Sequence, residues 1–133
     1  MAAEGLITIG SQFDFHTTIE KLDQRIASNG MTVLARIDHA EGAELAGLAL
    51  GPTVVMIFGN AKAGTPLMQA NRTIGVDLPL KVLVWQDEHG VTQLTYNDVG
   101  WLAKRHAVSQ ALSPIVQKMK HALDEVLKSA AQG

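Results

Sequence analysis

Hydrophobic and polar positions along this chain follow two rhythms, and the changes of rhythm mark its elements. Leu6 to Ile9 is short, apolar and partly β-branched, which predicts a first strand. Thr17 and Glu20 stand three apart, the spacing of a capping box, in which the threonine oxygen takes a free helix N–H and the glutamate reaches back. Ile19, Leu22 and Ile26 then recur at three and four and predict one apolar helix stripe. Asn29-Gly30 ends that helix, because glycine adopts the left-handed conformation of a helix C-terminus. From Met31 to Asp38 the period drops to two: Met31, Val33, Ala35 and Ile37 fall on one face of a half-buried strand. Ala40 to Leu50, rich in Ala, Glu and Leu, predicts a short helix that Gly51-Pro52 breaks. Thr53 to Phe58 is apolar without alternation. It predicts a central strand covered on both faces, or one beside a subunit contact.

Gly59 to Gly64 predicts a loop, and Thr65-Pro66 a helix start, with Thr as cap, Pro at the first helical position and Leu67 to Thr73 as the helix. Leu80 to Trp85 and Val91 to Tyr96 flank the polar turn Asp87-Glu88-His89-Gly90 and predict a hairpin over residues 80–96. Asn97-Asp98 caps a short helix from Val99 to His106, and Ser113-Pro114 opens the last one. There Leu112, Ile115, Met119, Ala122, Val126 and Leu127 trace an apolar stripe, with Ala130 to Gly133 expected to fray. The order of elements predicts an α+β fold: an antiparallel sheet with helices packed mainly on one face. No repeat, linker or low-complexity tract divides the chain, so residues 1–133 read as a single domain.

Composition narrows the function classes. A net charge of −2 argues against binding along a phosphate backbone, so no nucleic-acid partner is expected. The absence of cysteine removes disulfides, thiolate metal sites and cysteine nucleophiles together and fits a reducing cytoplasm. No cationic leader precedes an apolar core at the N-terminus, and no apolar run reaches the length of a spanning helix, so no membrane partner is expected either.

Three stretches resemble one family. The first is Arg36-Ile37-Asp38-His39-Ala40. The second is Gly51-Pro52-Thr53 running into Ile57-Phe58-Gly59-Asn60, then Ala63-Gly64-Thr65-Pro66-Leu67-Met68. The third is Asp77 through Trp85, followed by Tyr96-Asn97-Asp98, Leu102-Ala103 and Arg105-His106. Over about residues 5 to 108 the chain resembles the bacterial domain-of-unknown-function 302 family, with the C-terminal helix at about 113–129 beyond it. The resemblance implies a curved antiparallel sheet with a long helix, similar to the TATA-binding-protein-like arrangement, and it implies a homodimer. It implies no activity. Val99 and Ala61 stand where the family often carries proline.

The candidate chemistry is sparse. Of five histidines, His16, His89 and His121 read as surface residues. His39 and His106 end elements within the family-like motifs and are the candidate acid/base groups. His39 precedes Glu41 and Glu44 at a spacing that can present metal ligands, but no HExxH-type signature supports it, and we assign no metal. His106 closes a short helix, where a charged imidazole complements the helix end; beside it Arg105 offers a fork for a carboxylate or phosphate. Gly59 to Thr65 follows a strand and precedes a helix as a phosphate loop does. Thr65 stands where that loop needs lysine, so nucleotide hydrolysis is not expected, but Lys62 and the helix start at Thr65 leave a place for a small anion. Tyr96 and Asn97 end a strand and cap the next helix. Lys62, Thr65, Tyr96, Asn97 and Arg105 are therefore the expected ligand-binding residues, and His39, Tyr96 and His106 are expected to converge on one surface.

These features read first as a small cytoplasmic homodimer that binds a small molecule or serves another protein. An enzyme using a histidine acid/base on a small anionic substrate is the alternative, and histidine-based metal or haem binding the third; no cofactor is specified.

Overall fold

The computed structural model describes residues 3–133. Five antiparallel strands form one sheet in the order β1-β5-β4-β3-β2: β1 (Leu6–Gly10), β2 (Thr32–Asp38), β3 (Thr53–Gly59), β4 (Leu80–Gln86) and β5 (Thr92–Asn97). The helices are α1 (Phe15–Ser28), α2 (His39–Leu45), α3 (Ala61–Ala70), α4 (Val99–Arg105) and α5 (Ser113–Gln132). β2 to β5 run as a meander, and β1 pairs with β5 at the far edge. The link from β1 to β2 therefore has to cross the whole sheet, and α1 makes that crossing. It lays Leu22 and Ile26 onto the strands, packed beside α5. The α+β architecture and the 80–96 hairpin appear as the sequence patterns indicate, β4 taking the central position.

The core lies between the sheet and its helices. Met56 and Phe58 of β3, Val82 and Val84 of β4 and Leu94 of β5 are fully buried against Leu22, Ile26, Val126 and Leu127. Each such side chain contributes about 1.5–3 kcal/mol relative to exposure. β3 is thus not covered on both faces: Met56 and Phe58 point into the core, while Val55 and Ile57 alternate onto the open side. The unbroken apolar run hid a period of two.

β2 differs from its expected pattern for a sharper reason. A bulge shifts the register between Val33 and Ala35, so Val33 pairs with Phe58 but Ala35 pairs with Ile57 and Ile37 with Val55. One extra residue moves every later side chain to the opposite face. Val33 faces the helices, Ala35 and Ile37 face the open side, and Arg36 turns to the helix side to pair with Asp23 of α1.

Three helix boundaries are corrected. Asp14, not Thr17, caps α1: its carboxylate accepts the Thr17 N–H at 2.8 Å, which holds the Asp14 carboxyl below its ordinary range. α3 begins at Ala61, where Asn60 accepts the Lys62 N–H at 2.9 Å. Residues 59–64 are therefore not a free loop, and Thr65 and Pro66 lie within the helix rather than at its start. The expected fraying at Ala130 does not occur: Ala130 and Ala131 are fully buried, and the Ala131 carbonyl accepts from the Gln12 N–H at 2.8 Å. Ala61 and Val99, the two departures from the family pattern, are each the first residue of a helix. Proline is favoured there because its missing N–H has no intrahelical partner, and the caps Asn60 and Asp98 start both helices without it.

Candidate functional site

The polar side chains gather at one end of the sheet, where the chain enters β4. A 3₁₀ turn over Arg72–Val76 delivers Asp77, and the C-terminal end of α4 delivers Arg105 and His106. Asp77 is the hub. Its carboxylate accepts from Arg105 Nη1 at 2.9 and 3.1 Å and from His106 Nε2 at 2.6 Å. The His106 ring and Asp77 are nearly buried, while Arg105 is half exposed, its guanidinium over the Trp101 ring. Gly5 makes room for that indole: its φ is +80°, and a Cβ there would lie 2.3 Å from a Trp101 ring carbon.

The other ring nitrogen is held as well. His106 Nδ1 lies 2.9 Å from Thr73 Oγ1, and that hydroxyl donates to Asn71 Oδ1 at 2.8 Å. Asn71 in turn donates from Nδ2 to the His106 carbonyl. Both imidazole nitrogens are thus held, one against Thr73 and one against Asp77. The result is a hydroxyl–imidazole–carboxylate chain with every partner in place, and it joins α4 to the β4 entry.

Of the residues expected at a site, Arg105 and His106 come together, through Asp77. The others do not join them. His39 follows Asp38, which pairs with Val54 across from Val84, so it lies at the opposite end of the sheet and is exposed. Tyr96 points into the core, and its hydroxyl donates to Asp124 of α5 at 3.3 Å. Burial, with the Asp124 carboxylate beside it, pushes that phenol up to about 12. Asn97 ends β5 opposite Leu6. Lys62 lies in the first turn of α3, which moves the positive helix end away from Thr65; Thr65 is an exposed residue of the helix body. The expected convergence of His39, Tyr96 and His106 is thus replaced by the Asp77 cluster. Asp77, Thr73 and Asn71 escaped the sequence reading. Asp77 heads the Asp77–Trp85 family-like stretch, and that was its one signal. Among the described residues, no three His, Asp or Glu side chains gather closely enough to hold a metal ion.

A second feature is the sheet's open face. Thr8, Thr95, Leu83, Val55 and Ile37 form one continuous row across all five strands. Trp85 lies beside it, its Nε1 donating to Thr95 Oγ1 at 2.9 Å, and Ile57 and Lys81 pair in the neighbouring row. At the β2–β3 end the chain leaves the sheet as a hook, α2 and the return to Pro52. It encloses a shallow hollow of about 660 Å³ lined by Ala40, Glu41, Glu44, Leu48 and Leu50, among others.

The chain belongs to the family described as domain of unknown function DUF302, whose model matches residues 7–128. A protein of Brucella suis biovar 1 (strain 1330) named fluoride-specific ion channel FluC 1 is 44% identical over 127 residues, 96% of this chain and 50% of that protein. Its namesake in Brucella abortus biovar 1 (strain 9-941) is also 44% identical, over 96% of this chain and 47% of that protein. The chain spans about half the length of these curated relatives. The crystal structure of an uncharacterized conserved DUF302 protein from Bacillus stearothermophilus matches with a TM-score of 0.85 at 23% identity, covering 96% of this chain and 99% of that one, and shows the same fold. No described helix is long and apolar enough to cross a membrane.

Proposed function

We propose that this chain is a small accessory domain that works as a homodimer in the cytoplasm, two copies meeting across the open faces of their sheets. The observation that carries this reading is the row Leu83–Val55–Ile37, flanked by Trp85 and Ile57, an apolar stretch on the sheet face turned away from the buried core. Apolar area left in water forgoes about 25 cal/mol per Å², and a face-to-face pair recovers it symmetrically. The relatives named as fluoride-specific ion channels support the accessory role. In them the matched region is about half of a longer protein, so there the domain acts joined to something else. Light scattering on the chain at about 50 μM tests the reading. A mass of twice 14.2 kDa that falls to one copy in Leu83→Glu is expected; a wild-type mass of 14.2 kDa overturns it.

A second reading rests on a separate observation, the Thr73–His106–Asp77 chain beside the half-exposed Arg105. In it, the half-exposed Arg105 receives a small anion, and the His106 ring exchanges its Asp77 or Thr73 partner for the anion to move a proton to or from it. Titration with inorganic phosphate, followed by NMR at the His106 ring, is expected to show a saturable shift that Arg105→Ala abolishes and raised salt weakens. An unmoved His106 signal removes this reading.

A further inference from the structure

We infer that the anion taken at Arg105 is a short dicarboxylate, one end held by Arg105 and the other by Lys81. This rests on the anion reading of the Asp77 cluster and specifies its ligand. Charge is unevenly placed along the strands. Lys62, Arg72, Lys81, Lys104 and Arg105 stand at the end of the sheet where β4 begins; Asp38, Glu41, Glu44, Asp87 and Glu88 stand at the other. Of those five cations, only Arg105 makes an ion pair among the described residues. A chain whose net charge is −2 thus presents one positive end, which draws anions to it.

Two of these cations are anchored on one residue. Arg105 gives Nη1 to the Asp77 carboxylate, at 2.9 and 3.1 Å. Its Nη2 and Nε make no hydrogen bond among the described residues, and together they form the edge of a guanidinium that takes a carboxylate through two parallel hydrogen bonds. The Trp101 ring lies against the guanidinium and steadies that edge. Lys81, on the strand that Asp77 leads into, turns its ammonium back to the Asp77 and Pro79 carbonyls at 3.4 and 3.3 Å. Both acceptors are main-chain oxygens, so no carboxylate answers the Lys81 charge. An ammonium has three N–H donors, and these two contacts leave one to give.

Asp77 decides which shape of anion fits. Arg105 lies on its side chain and Lys81 on its main chain, so the Asp77 carboxylate borders the path from one cation to the other. A compact anion centred on that path presses its charge against the carboxylate. An anion with two separated carboxylates does not: each end meets a cation, and an uncharged middle passes Asp77. The reach required is one residue, from main chain to side chain, with a contact at either side, which is the scale of a four-carbon chain. Once one end is bound, the second contact forms within the complex, so the linked pair holds more tightly than either end alone.

Titration with succinate, acetate and inorganic phosphate at constant ionic strength, followed by NMR at the His106 ring, tests this. Succinate is expected to bind about tenfold more tightly than acetate or phosphate. Lys81→Ala leaves the Asp77 bonds to Arg105 and His106 in place. It is expected to bring succinate down to the level of acetate and to change phosphate binding by less than about twofold, with an unchanged circular dichroism spectrum. Lys104→Ala removes the same charge next to Arg105 and is expected to keep the preference for succinate. Succinate no tighter than acetate, or equal losses from Lys81→Ala and Lys104→Ala, overturns the two-ended ligand; a phosphate shift at His106 then leaves the single-anion reading standing. A His106 signal that none of the three anions moves removes both.

Discussion

On the helix side of the sheet, Met56 and Phe58 of β3 are fully buried beneath α1 and α5; on the other side, Val55 and Ile57 of the same strand are only half-buried. The residue types are alike and the backbone is shared. What differs is that α1 must bridge β1 and β2 at opposite edges, and α5 returns beside it, so every crossing element is spent on one face.

The matched pair Phe58 and Val55 gives the largest test. Phe58→Ala is expected to lower unfolding free energy by about 3–5 kcal/mol at any protein concentration, by denaturant titration. Val55→Ala is expected to cost less than about 1 kcal/mol in dilute protein and more as concentration rises, since association adds to apparent stability by mass action. Equal costs at low concentration would erase the difference between the faces.

Asp77→Ala is expected to cost about 2–4 kcal/mol, because it removes a carboxylate accepting three charge-assisted hydrogen bonds and strands a nearly buried imidazole. A cost near zero would show that the Asp77 cluster does not hold α4 to the β4 entry.

Tyr96 is the chain's single tyrosine, so its ultraviolet titration reads the dryness of the helix side directly. It is expected to ionise at about 12 in the folded protein and near its ordinary value of 10.0 in denaturant. A raised folded value means that this contribution to stability is intact below pH 10 and is lost as the pH climbs from 10 to 12. A folded midpoint near 10 would place water around the phenol.

Smaller effects concern the helices that do the covering. Asp14→Ala is expected to cost about 0.5–2 kcal/mol and Thr17→Ala much less, which separates the cap the structure shows from the one the spacing indicated. The Asp14 carboxyl is held low, so its contribution is present above pH 4 and fades as the pH falls through the lowered folded value. Ala61→Pro, at the first position of α3, is expected to stabilise by about 0.4–1 kcal/mol in thermal unfolding. Destabilisation there would mean that the Ala61 N–H has a partner it needs.

Much of the fold was legible from residue type and spacing. The hairpin was readable because its turn residues and strand alternation agree, and the stripe Leu22–Ile26 because a helix period needs only local sequence. Less legible were choices between competing local signals. Asp14 and Thr17 both qualify as caps for α1, and Asn60 and Thr65 for α3; which one wins depends on where the preceding strand delivers the chain. The candidate site was half legible. Arg105 and His106 announced themselves at a helix end, but Asp77 lies 28 and 29 residues away and meets them only because β4 and β5 are antiparallel neighbours.

By itself, the order of residues determined the elements, the family and the single packed layer, since these follow from short-range periodicity and a shared set of motifs. Only the tertiary structure decided which face each strand residue occupies, that His39 and His106 lie at opposite ends, and that Leu45, Leu48 and Leu50 stay exposed. The physical reason is that a side chain's face is set by register, and register is set by strands paired across long stretches of chain. In β2 one bulged residue is enough to send Ile37 to the open side and Arg36 to the helices.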